Sequence, residues 1–122
     1  MFKLRQEHTD AFREARVKDF ESRAVRHIRR DLPDHTSRHT DDELGKLARR
    51  SIPRARAYGL LTERQVMCFI DVSILLGEGF DKDPRHSWAA QVLNSQKLAA
   101  DDKAHLILAT ACSLTKDSKA AR

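Results

Sequence analysis

Aromatic residues are scarce in this sequence of 122 residues: Phe, Tyr and Trp together make up 6% of the chain, against 34% charged residues. Such a composition is typical of a soluble, globular protein with a lightly packed core. It also argues against nucleic-acid binding by base stacking, which requires exposed aromatic rings. The sequence has no internal repeat, no low-complexity tract and no strand-like alternation of apolar and polar residues. We therefore expect one helical domain.

Signals for export and for disulfides are also missing. Charged residues appear at once, with Lys3 and Arg5, and no apolar segment follows them. We therefore expect no signal peptide. The two cysteines, Cys68 and Cys112, both lie in apolar helical contexts, which predicts buried and reduced thiols. Together these observations predict a cytoplasmic protein.

The most apolar stretch of the chain covers residues 59–77. Thr62 and Gln65 have the spacing of a capping box, and Gly77 can end a helix in the left-handed conformation. Almost every position between them is apolar, and a helix that is apolar on all sides is buried by its neighbours. It is too short to span a bilayer, which needs about 20 apolar residues. We therefore predict a central helix over about residues 62–76. Its buried side chains should be Val66, Phe69, Ile70 and Leu76.

Two helices are predicted before the central one. Apolar residues at helical spacing from Phe12 to Ile28 indicate a helix over about residues 5–30. A second capping box at Thr40 begins a helix that reaches about residue 58. Pro53 lies inside that second pattern and should kink or split the helix, because proline cannot donate the backbone hydrogen bond. Gly59 should close it.

The chain after the central helix predicts a connection and two more helices. Phe80 and Trp88 should anchor the connection of residues 77–87, and Trp88 should lie on a short helix that Ser87 or Asp83 caps. The last helix is predicted over about residues 99–114. We thus expect an all-α fold of about five helices. It should form one compact domain of residues 1–115 with a frayed tail of residues 116–122.

Motifs for metal sites and catalysis fail on inspection. Asp81 and Asp83 begin a calcium-loop pattern, but the glycine and the bidentate glutamate it requires are replaced by His86 and Val92. The His35 and His39 pair lies in a polar linker, and Asp34 is the one carboxylate or Cys ligand at a supporting spacing. Cys68, the candidate nucleophile, is on an apolar helix that raises the pKa of a thiol. We therefore predict no catalytic, metal or cofactor site and no enzyme activity.

Asp71 is an ionisable residue within the apolar part of the predicted central helix. A buried carboxylate needs a partner, a gap in the packing or a perturbed pKa. One interpretation pairs it with an arginine of an adjacent helix, such as Arg54 or Arg56. The other gives it a role in a protein interface.

Positive charge is concentrated in the first half of the chain. Residues 1–58 carry 15 Lys and Arg against 10 Asp and Glu, whereas residues 59–122 carry eight of each. An excess of this kind attracts an acidic protein or nucleic acid. The first helix also carries acids, from Asp10 to Glu21, which argues against nucleic acid. The arginines we assign to binding are Arg13, Arg23, Arg26 and Arg30.

A series of short motifs between about residues 4 and 94 carries a family resemblance. They are Leu4-Arg-Gln-Glu7, Ala11-Phe12, Phe20-Glu21, His27-Ile-Arg-Arg30, Ala57-Tyr-Gly59, Thr62-Glu63, Phe69-Ile-Asp71, Gly77-Glu-Gly-Phe-Asp81, Asp83-Pro84 and Trp88-Ala89. In order and spacing the chain resembles small proteins encoded in bacterial type VI secretion clusters. Their genes lie beside those for toxin effectors, PAAR-tip proteins and adaptor chaperones. The chain departs from the family pattern at His8-Thr9 and at Phe69.

The resemblance implies a non-enzymatic accessory factor, a co-chaperone that acts with a larger adaptor to load effectors. Its partner would be the adaptor chaperone or the secreted effector, with no membrane contact. An immunity protein that binds and neutralises a toxin is the alternative, and a basic nucleic-acid-binding protein is the second alternative. The residues expected to serve protein binding are Arg13, Arg23, Arg26, Arg30, Asp71, Phe80 and Trp88.

Overall fold

The chain folds into six α-helices in a computed structural model that describes the backbone of residues 2–120 and the side chains of residues 11 and 13–115. The helices are α1 (Phe2–Asp31), α2 (Pro33–Thr36), α3 (Asp41–Arg56), α4 (Glu63–Leu76), α5 (Ser87–Leu93) and α6 (Ala100–Ala120). Two 3₁₀ turns, Phe80–Lys82 and Pro84–His86, connect α4 to α5. Residues 2–120 contain no strand, so the predicted all-α class is confirmed. The helix that the sequence did not predict is α2, which has only four residues.

Helix α4 is the centre of the fold, as predicted. It packs against α6, α3, α1 and α2. Val66, Phe69 and Ile70 are buried as expected, whereas Leu76, in the last turn, is half-buried. None of the helices in the described range combines the length and the hydropathy that a membrane crossing requires.

Both predicted capping boxes are present. At the start of α4, the backbone N–H of Gln65 donates to Thr62 Oγ1 at 3.2 Å, and the backbone N–H of Thr62 donates to Gln65 Oε1 at 3.2 Å. At the start of α3, Thr40 and Glu43 exchange the same two bonds at 3.1 Å each. These bonds satisfy donors that a helix N-terminus otherwise leaves unpaired, and so they fix where both helices begin.

The end of α3 corrects one expectation and confirms another. Pro53 lies inside α3 and does not split it. The helix lacks only the bond that an N–H at position 53 would donate to the Arg49 carbonyl, and the Ala57 N–H still donates to the Pro53 carbonyl at 3.2 Å. Gly59 closes the helix with a φ of +83°. Its N–H donates to the Arg56 carbonyl at 2.9 Å, and the Leu60 N–H donates to the Ala55 carbonyl at 3.1 Å. This is a Schellman motif, and it turns the chain directly into α4.

Helix α1 packs against α3, α2 and α4. Its buried residues Phe20, Ala24 and Ile28 follow the predicted apolar stripe. Phe12, which belongs to the same stripe in the sequence, lies outside the described side chains. The first described side chains, those of residues 11 and 13–16, are all exposed.

The connection after α4 differs from the sequence expectation in detail. Gly77 ends α4 with a positive φ of +109° but an extended ψ of 147°, and Gly79 takes the left-handed conformation instead. Asp83 caps the 3₁₀ turn, accepting from the Arg85 N–H at 2.9 Å, and does not cap α5. Helix α6 continues to Ala120. The fraying predicted for residues 116–122 falls on side chains outside the described set and stays a prediction.

Candidate protein-binding surface

Two acidic side chains of α1 face α3, where a single arginine binds both. Arg49 Nη2 donates to Glu14 Oε1 at 2.7 Å, and Arg49 Nε donates to Glu21. The hydrogen bond from Arg49 lowers the pKa of Glu14 below its usual value. These acids therefore join α1 to α3, and they do not neutralise the remaining arginines of α1.

Two of the arginines assigned to binding have carboxylate partners within the fold. Arg23 donates to Asp19 at 2.8 Å and to both oxygens of Glu63, at 2.6 and 2.9 Å, and so bridges α1 to α4. Arg30 Nε donates to the neighbouring Asp31 at 2.9 Å. Both side chains therefore contribute less positive charge to the surface than the sequence suggested.

Six exposed arginines have no carboxylate partner among the described side chains: Arg13, Arg16, Arg26, Arg38, Arg56 and Arg64. Arg13 and Arg26 belong to the predicted set. Arg26 lies beside the start of α3. The remaining four were not predicted, and two of them, Arg16 on α1 and Arg56 at the end of α3, lie close together. The structure therefore divides the predicted arginine set, because Arg23 and Arg30 have carboxylate neighbours, whereas Arg13 and Arg26 have none among the described side chains.

Arg16 and Arg56 lie at the edge of an apolar groove between α1, α3 and α4. The groove has a volume of about 180 Å³. Its apolar lining consists of Val17, Phe20, Ile52, Leu61 and Val66. Leu61 is 67% exposed, more than any other large hydrophobic side chain among the described residues. An apolar lining with a charged rim is the usual composition of a protein-binding surface.

Asp71 is paired, but with a histidine and not with Arg54 or Arg56. It is 7% exposed, and His27 Nε2 lies 3.1 and 3.0 Å from its two carboxylate oxygens. The other ring nitrogen, Nδ1, lies 3.3 Å from Asp31. Only the imidazolium form of His27 can donate to both carboxylates. Burial raises the pKa of Asp71 despite the hydrogen bond from His27, which acts in the opposite direction. Asp71 is thus part of the α1–α4 contact.

A cleft of about 460 Å³ lies beside this pair, between α1, α4 and α6. Asp101, Asp102 and Cys68 line it together with apolar side chains. Burial raises the pKa of the Cys68 thiol, so the thiolate that nucleophilic chemistry requires is disfavoured. Cys68 and Cys112 are both free and half-buried. No group of three or more potential metal ligands is found among the described residues.

Phe80 and Trp88 anchor the α4–α5 connection to the helical body. Phe80 is 1% exposed, and its ring centroid lies 5.0 Å from that of Phe69. Trp88 is half-buried against the same core. Phe80 is therefore inaccessible to a partner in the folded protein, whereas part of Trp88 is accessible.

Asp81 is a buried polar residue that the sequence did not indicate. It is 3% exposed, accepts a hydrogen bond from the Tyr58 hydroxyl at 2.6 Å and pairs with Arg54. Burial, together with the bond to Asp81, raises the pKa of Tyr58 to about 12. The three residues fasten the connection to the end of α3. No sequence signal marks this network, because its members are 23 and 27 residues apart.

No protein-family model, curated protein or solved structure matches the chain.

Proposed function

We propose that this protein is a non-enzymatic factor that binds an acidic partner protein through the middle of α1 and the adjacent end of α3. The observation that carries the proposal is the separation of charge on α1. Glu14 and Glu21 are bound by Arg49, whereas Arg13, Arg16 and Arg56 remain exposed without a carboxylate partner among the described side chains. Such a positive surface steers an acidic partner and fixes its orientation.

The resemblance to type VI secretion accessory proteins supports a more specific role. On that basis the protein acts as a co-chaperone, and the partner is the adaptor chaperone or the N-terminal region of the secreted effector. An immunity protein would use the same kind of surface against the toxin domain. The two roles are separated by which protein is bound and by whether a bound toxin is inactivated.

The experiment is co-purification of the tagged protein with the adaptor and the effector, expressed from the genes beside it. The test variant carries Arg13→Glu, Arg16→Glu and Arg56→Glu. The control variant carries the same change of charge at exposed positions away from the groove. Its substitutions are Lys18→Glu, Arg26→Glu and Arg38→Glu. We expect the control to retain the adaptor or effector and the test variant to lose it.

Two outcomes would contradict the proposal. The first is equal retention of the partner by both variants, since the binding surface would then lie elsewhere. The second is that the protein binds a DNA duplex with micromolar affinity and that this affinity falls steeply as the salt concentration rises. In that outcome the test variant alone would lose the DNA binding, and it would keep the protein partner. Phosphate contacts give that salt dependence through counterion release.

A further inference from the structure

We infer that the groove between α1, α3 and α4 binds an acidic amphipathic helix of the partner by taking up one aromatic side chain. This inference rests on the proposed function and specifies the element of the partner that is recognised. Its evidence is the size of the groove, its apolar lining and the position of the two arginines on its rim.

The size of the groove corresponds to one aromatic ring. Its volume is about 180 Å³, close to the ~150 Å³ of an engineered apolar cavity that holds a benzene molecule. Among its lining residues, Val17 and Ile52 are half-buried, and Phe20 and Val66 are buried. Leu61 lines the groove and is 67% exposed, so a ring bound there would remove apolar surface of Leu61 from water.

The charges on the rim select an acidic partner. Arg16 comes from α1 and Arg56 from α3, so cations lie on two of the helices that form the groove. Glu63, the acid on the rim, is already bound by Arg23 at 2.6 and 2.9 Å. The positive charges of Arg16 and Arg56 are therefore left for a partner.

A helix is the partner element that fits these positions. Residues 2–120 contain no strand, so no sheet edge is present to pair with an extended peptide. A helix presents an aromatic residue and carboxylates three or four positions away on the same face. It therefore places a ring in the groove and acids near Arg16 and Arg56 at the same time.

The test uses four fluorescein-labelled helical peptides of 18 residues, and fluorescence anisotropy measures their binding to the full-length protein. The peptides combine an acidic or a basic flank with a central Phe or Ala. We expect the acidic Phe peptide to bind about 10- to 100-fold more tightly than the acidic Ala peptide, because a buried Phe side chain contributes about 1.5 to 3 kcal/mol. Both basic peptides should bind more weakly than their acidic counterparts.

Leu61→Asp should weaken binding of the acidic Phe peptide at least about tenfold, since it removes the apolar rim and adds a negative charge. The matched control is Leu106→Asp on α6, an exposed leucine outside the groove, which should leave the affinity within about twofold. Circular dichroism and thermal unfolding establish that both variants are folded. A folded Leu61→Asp variant that binds like wild type would overturn the inference. So would the absence of acidic Phe peptide binding at millimolar concentration, or equal binding of the Phe and Ala peptides.

The failure of this inference is distinguishable from the failure of the proposed function. If Leu61→Asp still co-purifies with the adaptor or effector and the triple arginine variant does not, the proposed function stands and the aromatic anchor is wrong. If wild type binds neither the adaptor nor the effector nor any peptide, both are wrong.

Discussion

Replacing Asp81 by alanine should destabilise the protein more than removing any exposed carboxylate. Asp81 is buried in the connection after α4 and accepts hydrogen bonds from the Tyr58 hydroxyl and the Arg54 guanidinium. The substitution removes the acceptor for both donors. A buried donor left without an acceptor loses its solvation by water and gains nothing in return.

The magnitude follows from the exposure of the partners. Breaking a buried ion pair by removing one member costs about 3 to 5 kcal/mol. The Arg54 side chain is 29% exposed, and Glu78 lies 3.8 Å from its Nη1, so water and Glu78 offset part of the loss. We therefore expect Asp81→Ala to lower the free energy of unfolding by about 3 kcal/mol.

Urea unfolding, followed by helical circular dichroism and by the fluorescence of the single Trp, measures this change. The control is Asp42→Ala, because Asp42 pairs with Lys46 at 3.1 Å and both side chains are mostly exposed. An exposed pair of this kind contributes about 0.5 kcal/mol. Tyr58→Phe combined with Asp81→Ala should be less costly than the sum of the two, since both remove the same hydrogen bond. A cost below about 1 kcal/mol for Asp81→Ala, or strict additivity, would refute the reasoning.

Three further predictions concern the core and its ionisable groups. Trp88→Ala should lower the free energy of unfolding by about 2 to 3 kcal/mol, because the Trp88 ring is only half-buried against the core. Thermal unfolding measures this change, and co-purification with the partner should be unaffected. The pKa of Tyr58 is raised to about 12 in the folded protein, so the hydroxyl loses its proton more easily in the unfolded chain. The contribution of Tyr58 to the free energy of unfolding is therefore complete below pH 10 and should be lost as the pH rises from 10 through about 12. Urea midpoints across that range should fall less steeply in Tyr58→Phe, and an unchanged slope would contradict the assignment. Because the pKa of Asp71 is raised above 3.8, its contribution to stability should decline as the pH rises from about 4. Asp71→Asn should therefore gain stability relative to wild type between pH 3 and pH 6 in urea unfolding, and a relative loss would show that the pair with His27 outweighs burial.

The parts of the fold that the sequence predicted correctly are those set by local interactions. The two capping boxes depend on residues three positions apart, so Thr40 and Thr62 mark the starts of α3 and α4 without knowledge of any other helix. Gly59 likewise ends α3 through bonds within five residues. The burial of α4 followed from its composition, because no polar face was left to expose to water.

The parts that the sequence did not predict depend on how helices pack. The sequence indicated that Asp71 needs a partner, but its partner His27 is 44 residues away, and Arg54 is used by Asp81 instead. Residue type alone does not show which arginines of α1 are paired within the fold. Arg23 is paired because Asp19 on α1 and Glu63 on α4 lie beside it, whereas no described carboxylate lies in the same way beside Arg16. Periodicity places a side chain on a face but does not identify the helix opposite.

The central position of α4 also has a consequence during synthesis of the chain. Helix α6, which covers one side of α4, begins only after residue 99, so that side has no native partner while residues 77–120 are being made. At the usual elongation rates of 5 to 20 residues per second, these 44 residues take about 2 to 9 s. The α3–α4 hairpin has a short connection and can form in that interval, because closing a short loop costs little entropy. The nascent protein therefore passes through a stage in which a nearly all-apolar helix is covered on only some of its sides, and the apolar surface exposed at that stage favours aggregation and binding by chaperones.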